Sequence, residues 1–236
     1  MSFSRKTCEL SLIIPTYNEA DNIPELIERV ERSLKGRNFE VIVIDDNSED
    51  GTADIAEKLG AKYGNVKVLR RNGRLGLGSA VVDGIRMSSG DLLAVMDADL
   101  QHPPELLPKM MKAAEKGFDV VIASRYVDGG GVKGWSYLRR VISAGAILLA
   151  HILLPKVRTV RDPVSGFFLI RSSVVDGVPL NHSGYKILPE ILVKGRYSRV
   201  AEVPYILMPR RRGESKLNSR EIISYALLLL KLRARR

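Results

Sequence analysis

The chain has 236 residues, 45% hydrophobic and 6% aromatic, enough to bury one sizeable core or two closely joined lobes and too apolar for a disordered protein. Cys8 is the only cysteine, which excludes an intrachain disulfide or a cysteine-based metal site; with no A-x-A-type signal peptide, a reducing, cytosol-facing location is expected. The net charge of +10 is unevenly placed: residues 1–120 carry 16 Lys+Arg against 20 Asp+Glu and the rest 21 against 7, so the second half, at +14, suits nucleic acid, an anionic membrane surface or a phosphorylated substrate.

In chain order, the short apolar runs 10–14, 41–44, 66–69 and 92–96 read as strands. Helices fall between them. Ile23, Leu26, Ile27, Val30 and Leu34 recur at helical spacing, with Asp21 or Asn22 as the cap and Pro24 in the first turn. A second helix is expected over about 52–62 and a third over about 78–88. Strand–helix–strand alternation implies a parallel sheet covered on both faces, with ligands at the carboxyl ends of its strands. A fourth helix opens at Pro103-Pro104, and 120–123 reads as another buried strand. After the flexible Asp128-Gly129-Gly130-Gly131, helical runs are expected over 136–154 and 222–232. Their apolar parts are shorter than the ~20 residues that span a bilayer. Lying in the basic half, and with Lys231, Arg233, Arg235 and Arg236 ending the second, they suit an interfacial role on an anionic leaflet.

The sharpest feature is Asp97-Ala98-Asp99-Leu100-Gln101, two carboxylates and an amide at the end of the fourth strand. Oxygen ligands of this kind suit Mg2+ or Mn2+, which keep other positions for water and phosphate oxygens. For an isolated pair, capping the turn before the Pro-initiated helix is the better reading, and a histidine such as His102, at a helix start beside two prolines, is more often structural than a ligand. Pro15-Thr16-Tyr17-Asn18-Glu19 and Asp45-Asp46-Asn47-Ser48-Glu49-Asp50 end the first two strands on the same sheet edge. Tyr17 offers a face for a nucleobase and an Asp can accept from base or ribose, while Ser48 or Asp50 is an expected helix cap. Gly73-Arg74-Leu75-Gly76-Leu77-Gly78 follows the third strand and lacks a full G-x-G-x-x-G, so it reads as a close-approach loop, not a dinucleotide fingerprint. In the second half, Arg125, Arg139-Arg140 and Arg210-Arg211-Arg212 have few acidic neighbours in sequence and could converge on a phosphate.

Together these segments resemble a family-2 glycosyltransferase of the GT-A fold. More narrowly, Asp97 to Glu105, Asp162-Pro163-Val164-Ser165-Gly166-Phe167-Phe168, Gly184-Tyr185-Lys186-Ile187-Leu188 and Arg212-Gly213-Glu214-Ser215-Lys216 are similar to the dolichol-phosphate mannose synthase family, from about Leu10 to Leu217. The resemblance implies an α/β, Rossmann-like, mostly parallel sheet flanked by helices, with amphipathic interfacial helices in the second half. It implies mannose transfer from GDP-mannose to dolichyl (polyprenyl) phosphate with inversion, and Mg2+ or Mn2+ as cofactor. Pro15, Tyr17, Glu19, Ile44 and Asp46 would line the guanosine site, with Asp97, Ala98 and Asp99 around ribose, diphosphate and metal. Gln101 completes the metal site. Arg125, Arg139, Ser143 and Arg210 would hold the lipid phosphate; Lys186, Arg210 and Lys216 would also serve the nucleotide-sugar, and Asp97, Asp99 and Arg125 are the catalytic candidates.

The expected organisation is a catalytic unit over 1–218, divided into a nucleotide and metal half (1–125) and an acceptor half (126–218), then a basic amphipathic helix over 219–236. With no transmembrane domain expected, contact with the cytoplasmic face of a membrane falls to the interfacial helices, a membrane-anchoring subunit or a segment outside this chain. The rivals are a polyprenyl-phosphate glucosyltransferase using UDP-glucose and, from another class, a basic nucleic-acid-binding protein; no nucleic-acid partner is expected under the glycosyltransferase reading.

Overall fold

Leu10, Leu12 and Ile14 alternate with Ser11 and Ile13 along β1 (Cys8–Thr16), and the period of two divides the interior into two layers. The computed structural model describes residues 7–180, 186–209 and 219–234, with side chains of the last segment described from Ile223 onward. β1 is central in its sheet, buried on both faces, and lies parallel to β2 (Phe39–Asp45) and β4 (Gly90–Val95); β2 continues to β3 (Val66–Arg70). One layer packs α1 (Ile23–Ser33) and α4 (Leu107–Glu115) against Leu10, Leu12, Val41 and Val43. The other packs α3 (Leu77–Met87) against Ile13, Ile42 and Ile44. α2 (Thr52–Tyr63) connects β2 to β3.

The second half completes the sheet with β5 (Val120–Ser124), β7 (Phe168–Arg171) and β8 (Val200–Pro204), in the order β3-β2-β1-β4-β7-β5-β8. β7 is antiparallel to both neighbours, with Phe168 opposite Val95 and Ile122, so the sheet is mostly parallel with one reversed strand. It is reversed because the chain enters it from the carboxyl edge of β4 and β5. At four residues it is also too short to show a period in sequence. β6 (Gly131–Val132) and β9 (Ile206–Leu207) form a separate two-stranded ribbon.

Helix ends differ in detail from the sequence expectations. Pro104–Leu106 is a 3-10 turn closed by Leu106 N–H donating to Pro103 O at 3.1 Å, and α4 begins only at Leu107. Asn22 is the residue before α1, but its side chain donates to Glu19 Oε2 at 2.7 Å and caps nothing. Neither Ser48 nor Asp50 occupies the cap of α2. That position is Gly51, in the left-handed region, while Asp50 accepts from the Thr52 N–H at 3.0 Å in a short turn.

α5 (Tyr137–Leu153) is capped by Ser136, whose Oγ accepts from the Arg139 N–H, and α6 (Leu188–Lys194) adds Leu188, Ile191 and Leu192 to the same core layer. α7 (Ser219–Ala234) lies against α5, with Tyr225 Oη donating to Ala146 O at 3.1 Å. Leu228, Leu229 and Leu232 are buried, whereas Ile223, Leu227 and Leu230 of α7 and Tyr137, Leu138, Val141, Leu148 and Ile152 of α5 remain exposed. Among the described residues no helix is long and apolar enough to cross a membrane.

At the amino-terminal edge of the sheet, the buried Glu40 carboxylate accepts from Ser11 Oγ, from Ser89 N–H and Oγ, and from Lys67 Nζ. Burial pushes this carboxyl up, but Lys67, Ser11 and Ser89 together hold it below the usual carboxylate range. A depressed folded value stabilises the fold above the unfolded pKa and ceases to do so as pH falls through the folded one. Glu40→Gln is therefore expected to cost about 1–3 kcal/mol in urea unfolding at neutral pH. That difference should shrink below about pH 4; a difference independent of pH would disprove the assignment.

Candidate active site

The carboxyl ends of β1 and β2 are tied together by short polar bonds, on the edge where β4 also ends. Thr16 Oγ1 donates to Asp45 Oδ1 at 3.2 Å, Asn18 N–H to Ser48 Oγ at 2.9 Å, and Glu49 N–H to Asn18 Oδ1 at 3.1 Å. Asn18 and Asn47 take positive φ angles of 55° and 65°, which Asn tolerates better than most residues. Pro15 and Ile44 pair across β1 and β2 and are buried. Tyr17 is half-buried, its ring covered by the Arg74 guanidinium at 4.2 Å.

Asp46 is more enclosed than its place in a loop suggests. Its Oδ1 accepts from Arg71 Nη1 at 2.7 Å and Leu75 N–H at 2.9 Å, and its Oδ2 from Gly76 N–H at 2.8 Å. Arg71 is itself buried and also donates to Ser79 Oγ at 2.7 Å. Asp46 thus positions the glycine-containing loop that carries Arg74. Sequence reading gave neither Arg71 nor Arg74 a role, because their partners, Asp46 and Tyr17, lie 25 residues or more upstream.

After β4 the chain turns sharply at Leu100, a buried non-glycine residue with φ of 61°. Such a conformation costs roughly 1–2 kcal/mol and persists where its surroundings enforce it. The turn sets Asp97, Asp99 and Gln101 at one strand end. Asp97 is partly exposed; Asp99 is buried, its Oδ1 accepting from Gln101 N–H at 3.1 Å. Gln101 donates Nε2 to Met208 O at 2.6 Å, which orients its amide with the oxygen as the remaining acceptor. His102 is structural: Nδ1 accepts from Asp97 N–H at 3.2 Å, and the ring stacks on Phe167 at 5.3 Å between centroids. Burial pushes its pKa down, against the pull of Asp97 and Asp99, so the ring is neutral and its contact with Asp97 Oδ2 is no ion pair.

The turn leading into β7 links this strand end to the basic half. Asp162 is fully buried, and its oxygens accept a fork from Arg125, Nε at 2.8 Å and Nη2 at 2.7 Å, together with Arg125 N–H at 3.1 Å. Burial disfavours the Arg125 charge, but the Asp162 bonds outweigh it and raise its pKa. Arg125 has few acidic neighbours in sequence, but the fold brings it a carboxylate from 37 residues away. Four residues beyond Asp162, Gly166 lies so close to the metal candidates that a Cβ there would sit 2.9 Å from Asp97 Oδ2 and 3.2 Å from His102 Cε1. Ser165 anchors the same turn to β5 through Ala123 O at 2.8 Å. Burial lowers the pKa of Lys186, against the pull of Asp97, and Arg125 acts in the same direction as burial.

Beside Arg125, the Arg139 guanidinium stacks on Trp135, and Tyr126 Oη donates to Ser143 Oγ at 2.8 Å. The structure thus gathers Arg125, Arg139 and Ser143 near one another, and Asp97, Ala98, Asp99 and Gln101 on the edge shared with Pro15, Tyr17, Glu19, Ile44 and Asp46. Arg210 and Lys216 lie outside the described residues.

The family model described as "Glycosyl transferase family 2" matches residues 11–178, from β1 through the buried turn and β7. The chain belongs to glycosyltransferase family 2. It is 52% identical over 217 residues to a dolichol-phosphate mannosyltransferase of Pyrococcus furiosus, covering 92% of this chain and 61% of that protein. It is also 37% identical to the dolichol-phosphate mannosyltransferase of Saccharomyces cerevisiae (92% of this chain, 84% of that protein) and 36% identical to that of Mycosarcoma maydis (96% and 79%). A glucosyl-3-phosphoglycerate synthase from Mycobacterium tuberculosis, solved with Mn2+, UDP and glucosyl-3-phosphoglycerate, has the same fold at a TM-score of 0.70 and 20% identity, covering 95% of this chain and 78% of that one.

In this glycosyltransferase, no three His, Cys, Asp or Glu side chains among the described residues form a metal-holding cluster. Two carboxylates and an amide oxygen nonetheless fit a hard divalent cation that completes its coordination with diphosphate oxygens and water. Gly166→Ala should lower transferase activity by about tenfold or more while leaving the fold intact, since displacing a reacting group by an ångström has large kinetic effects. Asp162→Ala, which strands a buried arginine, should cost about 3–5 kcal/mol in urea unfolding; a loss under about 1 kcal/mol would rule out the buried pair as an anchor.

Proposed function

We propose that this chain transfers mannose from GDP-mannose to dolichyl (polyprenyl) phosphate with inversion at the anomeric carbon. The observation that carries this reading is the turn from Asp162 to Gly166, which joins the arginine of a phosphate site to the carboxylates of a strand-end metal site. The names of the three relatives support the choice of mannose and dolichyl phosphate. The chain spans 61% of the length of the Pyrococcus furiosus protein, so what it does alone is part of the proposal.

A lipid phosphate monoester, with a second pKa around 6, is already largely ionised at neutral pH and needs no strong base to become a nucleophile. A phosphate oxygen attacks the anomeric carbon; the bond from that carbon to the β-phosphate oxygen breaks, and its electron pair leaves with GDP. Arg125, Arg139, Ser143 and Arg210 hold the acceptor, while Pro15, Tyr17, Glu19, Ile44 and Asp46 hold the nucleoside and Lys186 and Lys216 its charged portion. Asp97, Asp99 and Gln101 would hold Mg2+ or Mn2+, which when bound neutralises charge developing on the diphosphate. Most of the acceleration then comes from placement and preorganised charge.

In the same reading, residues 1–218 form the catalytic unit and 219–236 a surface helix. The exposed apolar residues of α5 and α7, with Arg139, Arg140, Lys231 and Arg233 on the same helices, support peripheral binding to an anionic cytoplasmic leaflet, alone or beside a membrane-anchoring subunit.

The decisive assay supplies purified protein with GDP-mannose or UDP-glucose, a polyprenyl phosphate in detergent, and Mn2+ or chelator. Transfer from GDP-mannose, lost in chelator and reduced by about 10²-fold or more in Asp97→Ala and Asp99→Ala, is expected. Preference for UDP-glucose, or full activity of either variant in chelator, would overturn the proposal.

A further inference from the structure

Trp135 lies between β6 and α5, one residue before the Ser136 cap. Its ring is flanked by cations, with the Arg139 guanidinium 4.4 Å and the Arg125 guanidinium 5.4 Å from it. The chain leading to the indole, and one of the two cations, are fixed independently of it. The β6–β9 ribbon fixes the preceding segment through Gly131 N–H to Tyr205 O at 3.0 Å and Lys133 N–H to Leu207 O at 2.9 Å. Gly134, with φ of 73°, lets the chain lie against Pro209, whose Cγ would be 2.8 Å from any Cβ there. Arg125 is fixed independently by Asp162.

Among the described residues, the indole Nε1–H of Trp135 is buried and has no hydrogen-bond acceptor. The other buried side-chain atoms in this condition are amide oxygens of Asn22 and Asn65, so Trp135 supplies the orphan donor. An indole N–H can only donate, as can a guanidinium. An unpaired buried donor is costly, and native structures keep few of them without a functional reason. Among the described residues, the carboxylate bonded to Arg125 is Asp162, already engaged in the fork and with the Arg125 N–H. The unpaired indole donor, flanked by two guanidinium groups, suits a ligand that carries acceptor oxygens and negative charge.

We propose that Trp135 is a further acceptor-binding residue: its ring sets the spacing of the Arg125 and Arg139 guanidinium groups, and its indole N–H donates to an oxygen of a phosphate monoester held between them. This rests on the reading of the acceptor as a prenyl phosphate, and it adds a contact that neither composition nor motif spacing indicated.

Trp135 is the only tryptophan of the chain, so its emission reports this ring alone. The full chain is titrated with farnesyl phosphate, farnesol and GDP. A saturable emission change with farnesyl phosphate, and none with farnesol or GDP, is expected. In steady-state assays Trp135→Phe, which keeps an aromatic face and removes the donor, should raise KM for farnesyl phosphate about tenfold while KM for GDP-mannose and kcat stay within about twofold. Circular dichroism at the assay temperature confirms that the variant is folded; if it is not, the emission titration of the unaltered chain decides. An equal response to farnesol, a response to GDP alone, or transfer to farnesyl phosphate with unchanged emission and unchanged KM in Trp135→Phe would each overturn the inference. Failure of the function itself looks different, because then farnesyl phosphate is not mannosylated at all.

Discussion

The buried fork between Asp162 and Arg125 is the interaction on which the two halves of the site depend. A carboxylate with no solvent exposure is tolerable only when its lone pairs are filled, and Asp162 fills them with one guanidinium and one backbone N–H. Its own N–H is held by Glu202 of β8 at 3.0 Å, and Ser165 secures the far end of the turn to β5. The turn therefore cannot shift as a loop would. At Gly166 it passes so near Asp97 that no side chain fits between them, and through Phe167 it supports the His102 ring that accepts from the Asp97 backbone. An arginine of the basic half and a carboxylate of the acidic half are located by the same few residues.

A second buried pair does similar work on the donor side. Asp46 and Arg71 fix the backbone of the loop from Leu75 to Gly76, and the loop places Arg74 across Tyr17. Such a pair adds little net stability, since desolvation offsets attraction, but it specifies one loop conformation. Each part of the site thus has a buried ion pair behind it and partly exposed groups in front. This arrangement suits a reaction that depends on placement and charge more than on proton transfer.

How much was legible in the sequence follows from the range of the signals. The strands β1 to β5 and the helices between them were readable because each is a local pattern of period 2 or 3.6 bounded by polar residues. The strand-end position of Asp97, Asp99 and Gln101 followed from the same alternation. β7 was not readable, because four residues carry no period and its antiparallel course depends on where the preceding turn releases the chain. The roles of Asp162, Gly166, Arg71 and Trp135 were hidden for a related reason. Motif comparison had singled out the segment from Asp162 to Phe168, but a partner 37 residues away and the space denied to a Cβ exist only once the strands are side by side.

By itself, then, the sequence determined the α/β class, the edge of the sheet where ligands gather, the unequal charge of the two halves and the oxygen-rich strand end, all of which arise from local propensity and composition. Only the tertiary structure decided that His102 supports Asp97 through its backbone, that Asp46 and Arg125 are committed to buried partners, and that Trp135 stands between two arginines with its donor unpaired. Hydrogen bonding and ion pairing act over about 3 Å, and which residues come that close is set by the packing of the whole sheet.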